Sequence, residues 1–559
     1  MARRLCIAIV SAIAVVFPAV ARADWPVYGH DLANSRNAGL QGPPASQAAS
    51  LPTAWTFKSS TGDFTGTPVI ADGVLVAGNN GGWVYALDAV TGAVLWSRNV
   101  GQPIDGSAAI DTAAPGGATA FVPVAQSGSP RLLAFSLATG AERWDTVLTN
   151  QANASVFGSP TYWRGTVYIG TSGPNNDNSH ARGSVVALDE ATGAVRWQTF
   201  TVPPGHDGAA VWSTPAIDTS TGRLYVGTGN NYHQPTTGTS DSILALDAAG
   251  GQILGDFQAT AGDNFTATDN PLGGPDFDFG ASPNLLSGPG GRALVGEGQK
   301  SGTYWMLDRA SLSPLWHTSI GPGGPLGGIL GSTAFDGARV FAGDTIDGSV
   351  AALTRAGVIG WTSHDAPGHL GAVTVAHGVL YTSDPSGSLT ARDPATGGVL
   401  GKRSLGAATF GGISADGRAL YVAVGTGPPP APAPQQDGSG SIVAFGDTSH
   451  SGGSHRSSAT GGSFLPAASG CASTRKLRFR LRRHSGIVKL EVFVNGHRRL
   501  VLRHRGRGHG QLLLRLAGGR RARVKLIAFR SDGTQLITTR MYSGCGAGRA
   551  HSRVRRRHR

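Results

Sequence analysis

One pattern recurs along the chain and restricts its fold more than any other feature: an apolar pair, Asp, two variable residues, Thr-Gly, three residues and Trp. It reads ALDAVTGAVLW at 86–96, AFSLATGAERW at 134–144 and ALDEATGAVRW at 187–197. Looser copies are ALDAAGGQILG (245–255), MLDRASLSPLW (306–316), ALTRAGVIGW (352–361) and ARDPATGGVLG (391–401). A last fragment, IVAFGD (442–447), opens like the others and stops. Within a copy, the Asp side chain can bond the turn amides and Gly accepts a positive φ, so the flanking runs read as strands. The closing Trp is large enough to cover the joint with the next unit.

Upstream of the copies stand a Gly/Ser/Thr-rich apolar segment and a second strand, as in TPVIADGVLVAG (67–78) and SPTYWRGTVYIG (159–170). One period is then about 50 residues, room for the four strands of a propeller blade. Seven copies and the fragment predict an all-β fold, an eight-bladed β-propeller over 24–447, with the segment from Asp24 to about Phe57 completing the ring. Composition agrees. With 84 Gly and 32 Pro against 14% charged residues, long helices are excluded, while 40% hydrophobic residues exclude a wholly disordered chain.

The net charge of +13 is unevenly spread. From Cys471 onward stand 25 of the 47 Lys and Arg but only Glu491 and Asp532 of the 34 acidic residues, net +23; the rest of the chain carries 22 and 32, net −10. A Gly/Ser linker (448–470) therefore separates the ring from a basic unit at 471–545, where alternating runs predict a small β-sandwich, followed by a disordered basic tail at 546–559. At the other end, Arg3 and Arg4 precede an apolar run from Leu5 to Val20 and a small-x-small site, Ala21-Arg22-Ala23. Residues 1–23 read as an export signal, an uncleaved anchor being the alternative. Export leaves Cys471 and Cys545, expected to form a disulfide closing the basic unit, and places the protein outside the cytoplasm. The tail lacks interleaved aromatics, so an anionic envelope polymer is the expected partner and nucleic acid is not; the protein reads as a monomer.

The ring motif resembles the quinoprotein alcohol dehydrogenase-like propellers, whose cofactor is pyrroloquinoline quinone (PQQ). GHDGAAVWSTPAID, YVGTGNNYHQP, SDSILALD, GGPDFDFGASP and GEGQKSGTYWMLD follow one another between Gly205 and Asp308. In words, order and spacing they are similar to the polyvinyl-alcohol dehydrogenase branch. The resemblance implies oxidation of an alcohol, small or polymeric, by hydride transfer to the quinone. It implies Trp212 as the indole under the quinone and Lys300 as the cation near its oxygens. Ser172 and Gly173 would contact the cofactor. Asn230 and Asp278 would bind calcium, Asp278 also serving as catalytic base; Asp276 lies on the same face if the backbone is extended.

The chain departs from that pattern in three places. Asn175, with Asn176 and Asp177 beside it, stands where the family has a calcium-ligating Glu, and Thr65 stands where several relatives have another Glu. The ring has no Cys for the disulfide that covers the quinone in many relatives. No CxxCH haem-attachment motif occurs, so a separate electron acceptor is expected. Because the same repeat builds non-catalytic scaffolds, a secreted binding propeller is the rival reading.

Overall fold

The structure, a computed structural model, describes residues 24–125, 127–173, 179–425, 440–450 and six strands between 475 and 542. Residues 1–23, Asn175 to Asp177, Cys471 and Cys545 lie outside the described residues. Among the described residues the only helices are three short 3-10 turns, and no helix is long and apolar enough to cross a membrane. The chain is all-β.

Before residue 450 the strands form eight four-stranded antiparallel sheets. Seven are built from strands consecutive in sequence, as in Val69–Ala71, Val74–Gly78, Trp83–Asp88 and Val94–Asn99. The eighth takes its outer strand, Thr53–Lys58, from the start of the chain and the rest, Ile413–Asp416, Arg418–Val424 and Ser441–Asp447, from the end. Pairing of Phe57 with Ile442 joins the two ends of a propeller-like assembly.

The repeat explains the seams. Asp88 Oδ1 accepts from the Thr91 amide and hydroxyl, each at 2.9 Å, and Gly92 turns the chain at φ 67°. Trp96, buried at the outer strand, donates from Nε1 to the Leu137 carbonyl of the next sheet at 2.7 Å. Its ring lies so close to Gly140 that a Cβ there would sit 2.5 Å away. The same indole-on-glycine contact joins Trp55 to Gly92, Trp144 to Gly193, Trp197 to Gly251, Trp316 to Gly357 and Trp361 to Gly397. Truncating a buried Trp of this kind costs about 3–5 kcal/mol.

Around the inner strands runs a belt of hydroxyls. The Ser107 amide donates to Ser159 Oγ, Ser159 to Thr214 Oγ1, Thr214 to Ser282 Oγ and Ser282 to Ser332 Oγ, all between 2.9 and 3.3 Å. The recurring Ser/Thr upstream of the second to sixth sheets thus joins each of these to its neighbour.

The sequence suggests that the whole segment from Asp24 to about Phe57 completes the ring, but only Thr53–Lys58 joins a sheet. Residues 25–37 instead thread past the free edges of the innermost strands: Ile70, Ile110, Ile217, Leu285, Phe335 and Val375 each donate a backbone N–H to this segment. Edge amides that would otherwise lack partners are satisfied there. Arg36, fully buried, anchors the segment through the Tyr28, Val373 and Ile413 carbonyls and Thr374 Oγ1.

The basic region forms six strands in two sheets. Arg475–Leu481 pairs with Gly510–Leu516, and His497–Arg503, Ile487–Val494, Ala522–Arg530 and Gln535–Tyr542 form the other in that order.

Candidate active site

In an antiparallel sheet the start of the first strand and the end of the second meet on one side. Trp212 precedes the fourth sheet's inner strand, Ala216–Asp218, and Asn230 follows its second strand, Arg223–Gly227. Asp276 and Asp278 precede the fifth sheet's inner strand, Asn284–Ser287, and Lys300 follows Ala293–Gly298. The fold therefore brings five residues from two sheets to one place.

Lys300 is the centre of this group. Its Nζ lies 2.7 Å from Asp278 Oδ2, 3.0 Å from each Asp276 carboxylate oxygen and 5.6 Å from the Trp212 ring centroid. Asp278 Oδ1 accepts from the Asn230 backbone amide at 2.8 Å, and Asn230 Nδ2 donates to the Phe265 carbonyl at 2.7 Å. Asp278, Asp276 and Asn230 are buried, and Trp212 is partly exposed. Two glycines allow the close fit: a Cβ at Gly229 would meet Asp278 Oδ1 at 2.7 Å, and one at Gly280 would collide with the Trp212 ring at 1.9 Å. Asp276 and Asp278 share a face, but not through extended backbone, because Asp276 sits at φ 58°.

Sequence reasoning missed two further carboxylates here. Asp241 is fully buried, and neither of its carboxylate oxygens has a hydrogen-bond partner. Burial raises its pKa well above the usual value, and the charges of Asp278, Asp263 and Asp276 add to the shift. Asp263 accepts from the Phe265 and Phe277 amides, and burial raises its pKa too. Burial, then the Asp278 charge, pushes Asp276 up to about 7 against the pull of Lys300. The signals were the Asp of SDSILALD and of GDNF, neither unusual in a turn.

Ser172 and Gly173 lie on the third sheet's loop. Ser172 is buried, pairs with Ser155 through both backbone bonds, and donates from Oγ to the Gly173 carbonyl at 2.9 Å. Gly173 packs against Tyr232, whose hydroxyl oxygen a Cβ would meet at 2.5 Å. Thr65 Oγ1 donates to the Asp105 carbonyl at 3.0 Å.

A propeller-like run of four-stranded sheets, with polar side chains gathered on inner-strand loops, defines a quinoprotein-type fold. The solved quinohemoprotein alcohol dehydrogenase from Comamonas testosteroni has that fold, with a TM-score of 0.65 at 20% identity over 76% of this chain and 81% of that one. A family described as outer membrane protein assembly factor BamB matches residues 47–241 and 239–419. A polyvinylalcohol dehydrogenase of Sphingopyxis sp. (strain 113P3) is 30% identical over 463 residues, covering 70% of each chain. Another, from Pseudomonas sp., is 29% identical over 72% of this chain and 71% of its own. The chain belongs to this quinoprotein propeller family, as an alcohol dehydrogenase-like oxidoreductase related to the polyvinylalcohol dehydrogenases.

Proposed function

We propose that the protein is an exported PQQ- and calcium-dependent dehydrogenase that oxidises an alcohol, secondary or polymeric, and passes the electrons to a separate acceptor. The observation that carries this reading is the buried Lys300–Asp278–Asn230 cluster beside Trp212.

The residues suit both groups. Asp276 and Asp278 face one lysine, Asp241 and Asp263 are buried within electrostatic reach of them, and Asp241 has two oxygens without hydrogen-bond partners, an arrangement that favours a hard cation taking oxygen ligands. Asn230 and Asp278 would hold calcium, with Asn175 at the third position. Trp212, Lys300, Ser172 and Gly173 would hold the quinone, the indole by stacking and the ammonium by its charge. When bound, PQQ supplies a two-electron acceptor for the hydride, and calcium the electrophilic assistance.

Asp278 is the base for the alcohol hydroxyl. Each of its oxygens already accepts one charge-assisted or amide bond and keeps a lone pair for a proton. Lys300 and the Asn230 amide fix the carboxylate's orientation, and Gly229 leaves room beside it.

In this reading the eight sheets are the blades of one ring spanning 24–447, released from a signal at 1–23. The linker 448–470 leads to the basic sandwich 471–545, closed by Cys471 and Cys545, and to the tail 546–559; this unit holds the protein to an anionic envelope polymer. The second reading is a non-catalytic envelope scaffold, favoured by the assembly-factor description of the matching family. Dye-linked oxidation of low-molecular-weight and polymeric alcohols by protein loaded with PQQ and calcium tests between them. Asp278→Asn should lose turnover and remain folded; turnover equal to the parent protein would reject Asp278 as base, and no turnover by either would favour the scaffold.

A further inference from the structure

Apart from the quinone site, a second group of ligating side chains comes together on neighbouring loops. His180, Asp207 and His233 hold one ligand atom each within 4.8 Å of the others. His180 Nδ1 and His233 Nδ1 both lie 2.7 Å from the same oxygen, Asp207 Oδ2. The two imidazoles are stacked, with centroids 4.5 Å apart and planes 23° from parallel.

From this arrangement we infer that His180, Asp207 and His233 form a surface site for one first-row transition-metal dication of the zinc class. Two imidazoles and a carboxylate are the nitrogen–oxygen donor set such ions take. The site's base is fixed and its arms are free to adjust. The Asp207 side chain is only 7% exposed; its Oδ1 accepts the His233 amide at 3.1 Å, and its backbone carbonyl accepts Asn231 Nδ2 at 2.7 Å. Such outer bonds hold a ligand in its coordinating orientation. The His233 side chain is 43% exposed and that of His180 84%. With metal–ligand bonds of ~2.1 Å, the donors must stand somewhat further apart than hydrogen-bonded atoms, and the exposed rings can move outward to allow it.

Entry is open. A cavity of about 400 Å³ lined by Gln151, Ala152, Asn153, Ser179 and His180 adjoins the site and leaves room for water or an outside ligand at the remaining positions. A bound ion would pin the chain at His180 to the Asp207 loop and to the loop carrying Asn230, Asn231 and His233. The inference does not depend on the quinone reading, because none of the three residues takes part in it.

Cobalt(II) is the probe, since its visible spectrum reports coordination number and imidazole ligation. Full-length protein, freed of metal, is titrated with cobalt(II) and then with competing zinc(II). We expect one equivalent taken up with the intense bands of a four- or five-coordinate ion and displaced by zinc. His180→Ala and His233→Ala should each weaken binding at least ~10-fold, the scale of losing even an outer partner. Asp278→Asn should leave binding unchanged. Absence of stoichiometric uptake overturns the inference. So do cobalt affinity and spectra in both histidine variants that are unchanged from the parent protein, and uptake abolished by Asp278→Asn alone.

Discussion

Leu312 fills the seam that Gly255 leaves open. In the repeat, position 255 is where other copies carry the seam Trp, and position 312 is where the next copy carries its turn Gly. Here the two residues are exchanged in size: Leu312 is buried at φ 56°, and its Cδ1 lies 3.7 Å from where a Cβ of Gly255 would stand. A positive φ at a leucine costs on the order of 1 kcal/mol, and burying the side chain more than offsets it. Leu312→Gly should therefore lower stability by about 2 kcal/mol. Adding Gly255→Trp should restore much of it, read by urea unfolding of the single and double variants; additive losses would refute the exchange.

Arg36 holds residues 25–37 in place with no carboxylate partner among the described residues. Its guanidinium bonds to three carbonyls and one hydroxyl, lies over the Trp25 and Tyr28 rings, and has its pKa lowered to about 10 by burial. Arg36→Ala would strip four acceptors of one shared donor group, so a loss of about 3 kcal/mol or more is expected in thermal or urea unfolding. Arg36→Lys should rescue little, because an ammonium cannot reproduce the planar fork.

The repeats were legible because the Asp-Thr-Gly turn and the Trp act within one unit or on the next. Leu312 was not, since its role depends on what is missing from the preceding sheet. The path of residues 25–37 was hidden for another reason: backbone pairing with far strands leaves little trace in side-chain pattern. At the site, the spacing of Trp212, Asn230, Asp278 and Lys300 was readable through the family resemblance, and the fold brings them together. Asp241 and Asp263 were unreadable because their environment comes from burial between distant loops.

Lys300 is the one cation touching Asp276 and Asp278 in the described site. Lys300→Met removes one partner of a buried ionic group and leaves two carboxylates facing each other. Chemical unfolding of the metal-free protein near pH 8 should register a loss of about 3 kcal/mol. A variant as stable as the parent would mean that the ammonium does not hold these carboxylates.

Asp344 gives a pH dependence of defined sign. Burial raises its pKa from 3.8 to about 6; Oδ1 accepts the Ile346 and Asp347 amides, while Oδ2 has no partner. The folded protein thus holds this proton more tightly than the unfolded chain. Its contribution to stability is complete below about pH 4 and is lost as pH rises through about 6. Across that window the difference is on the order of 3 kcal/mol. Asp344→Asn should flatten the stability–pH curve there by that amount, measured by urea unfolding from pH 4 to 8, and an unchanged slope would contradict the assignment.

In the proposed function Trp212 and Lys300 hold a flat anionic quinone, and calorimetric titration of the metal-free protein with PQQ tests this directly, with and without calcium. The expected result is one PQQ per chain, bound more tightly with calcium, with affinity reduced by both Trp212→Ala and Lys300→Met. Saturable binding that ignores both substitutions, or no binding in calcium, would contradict it.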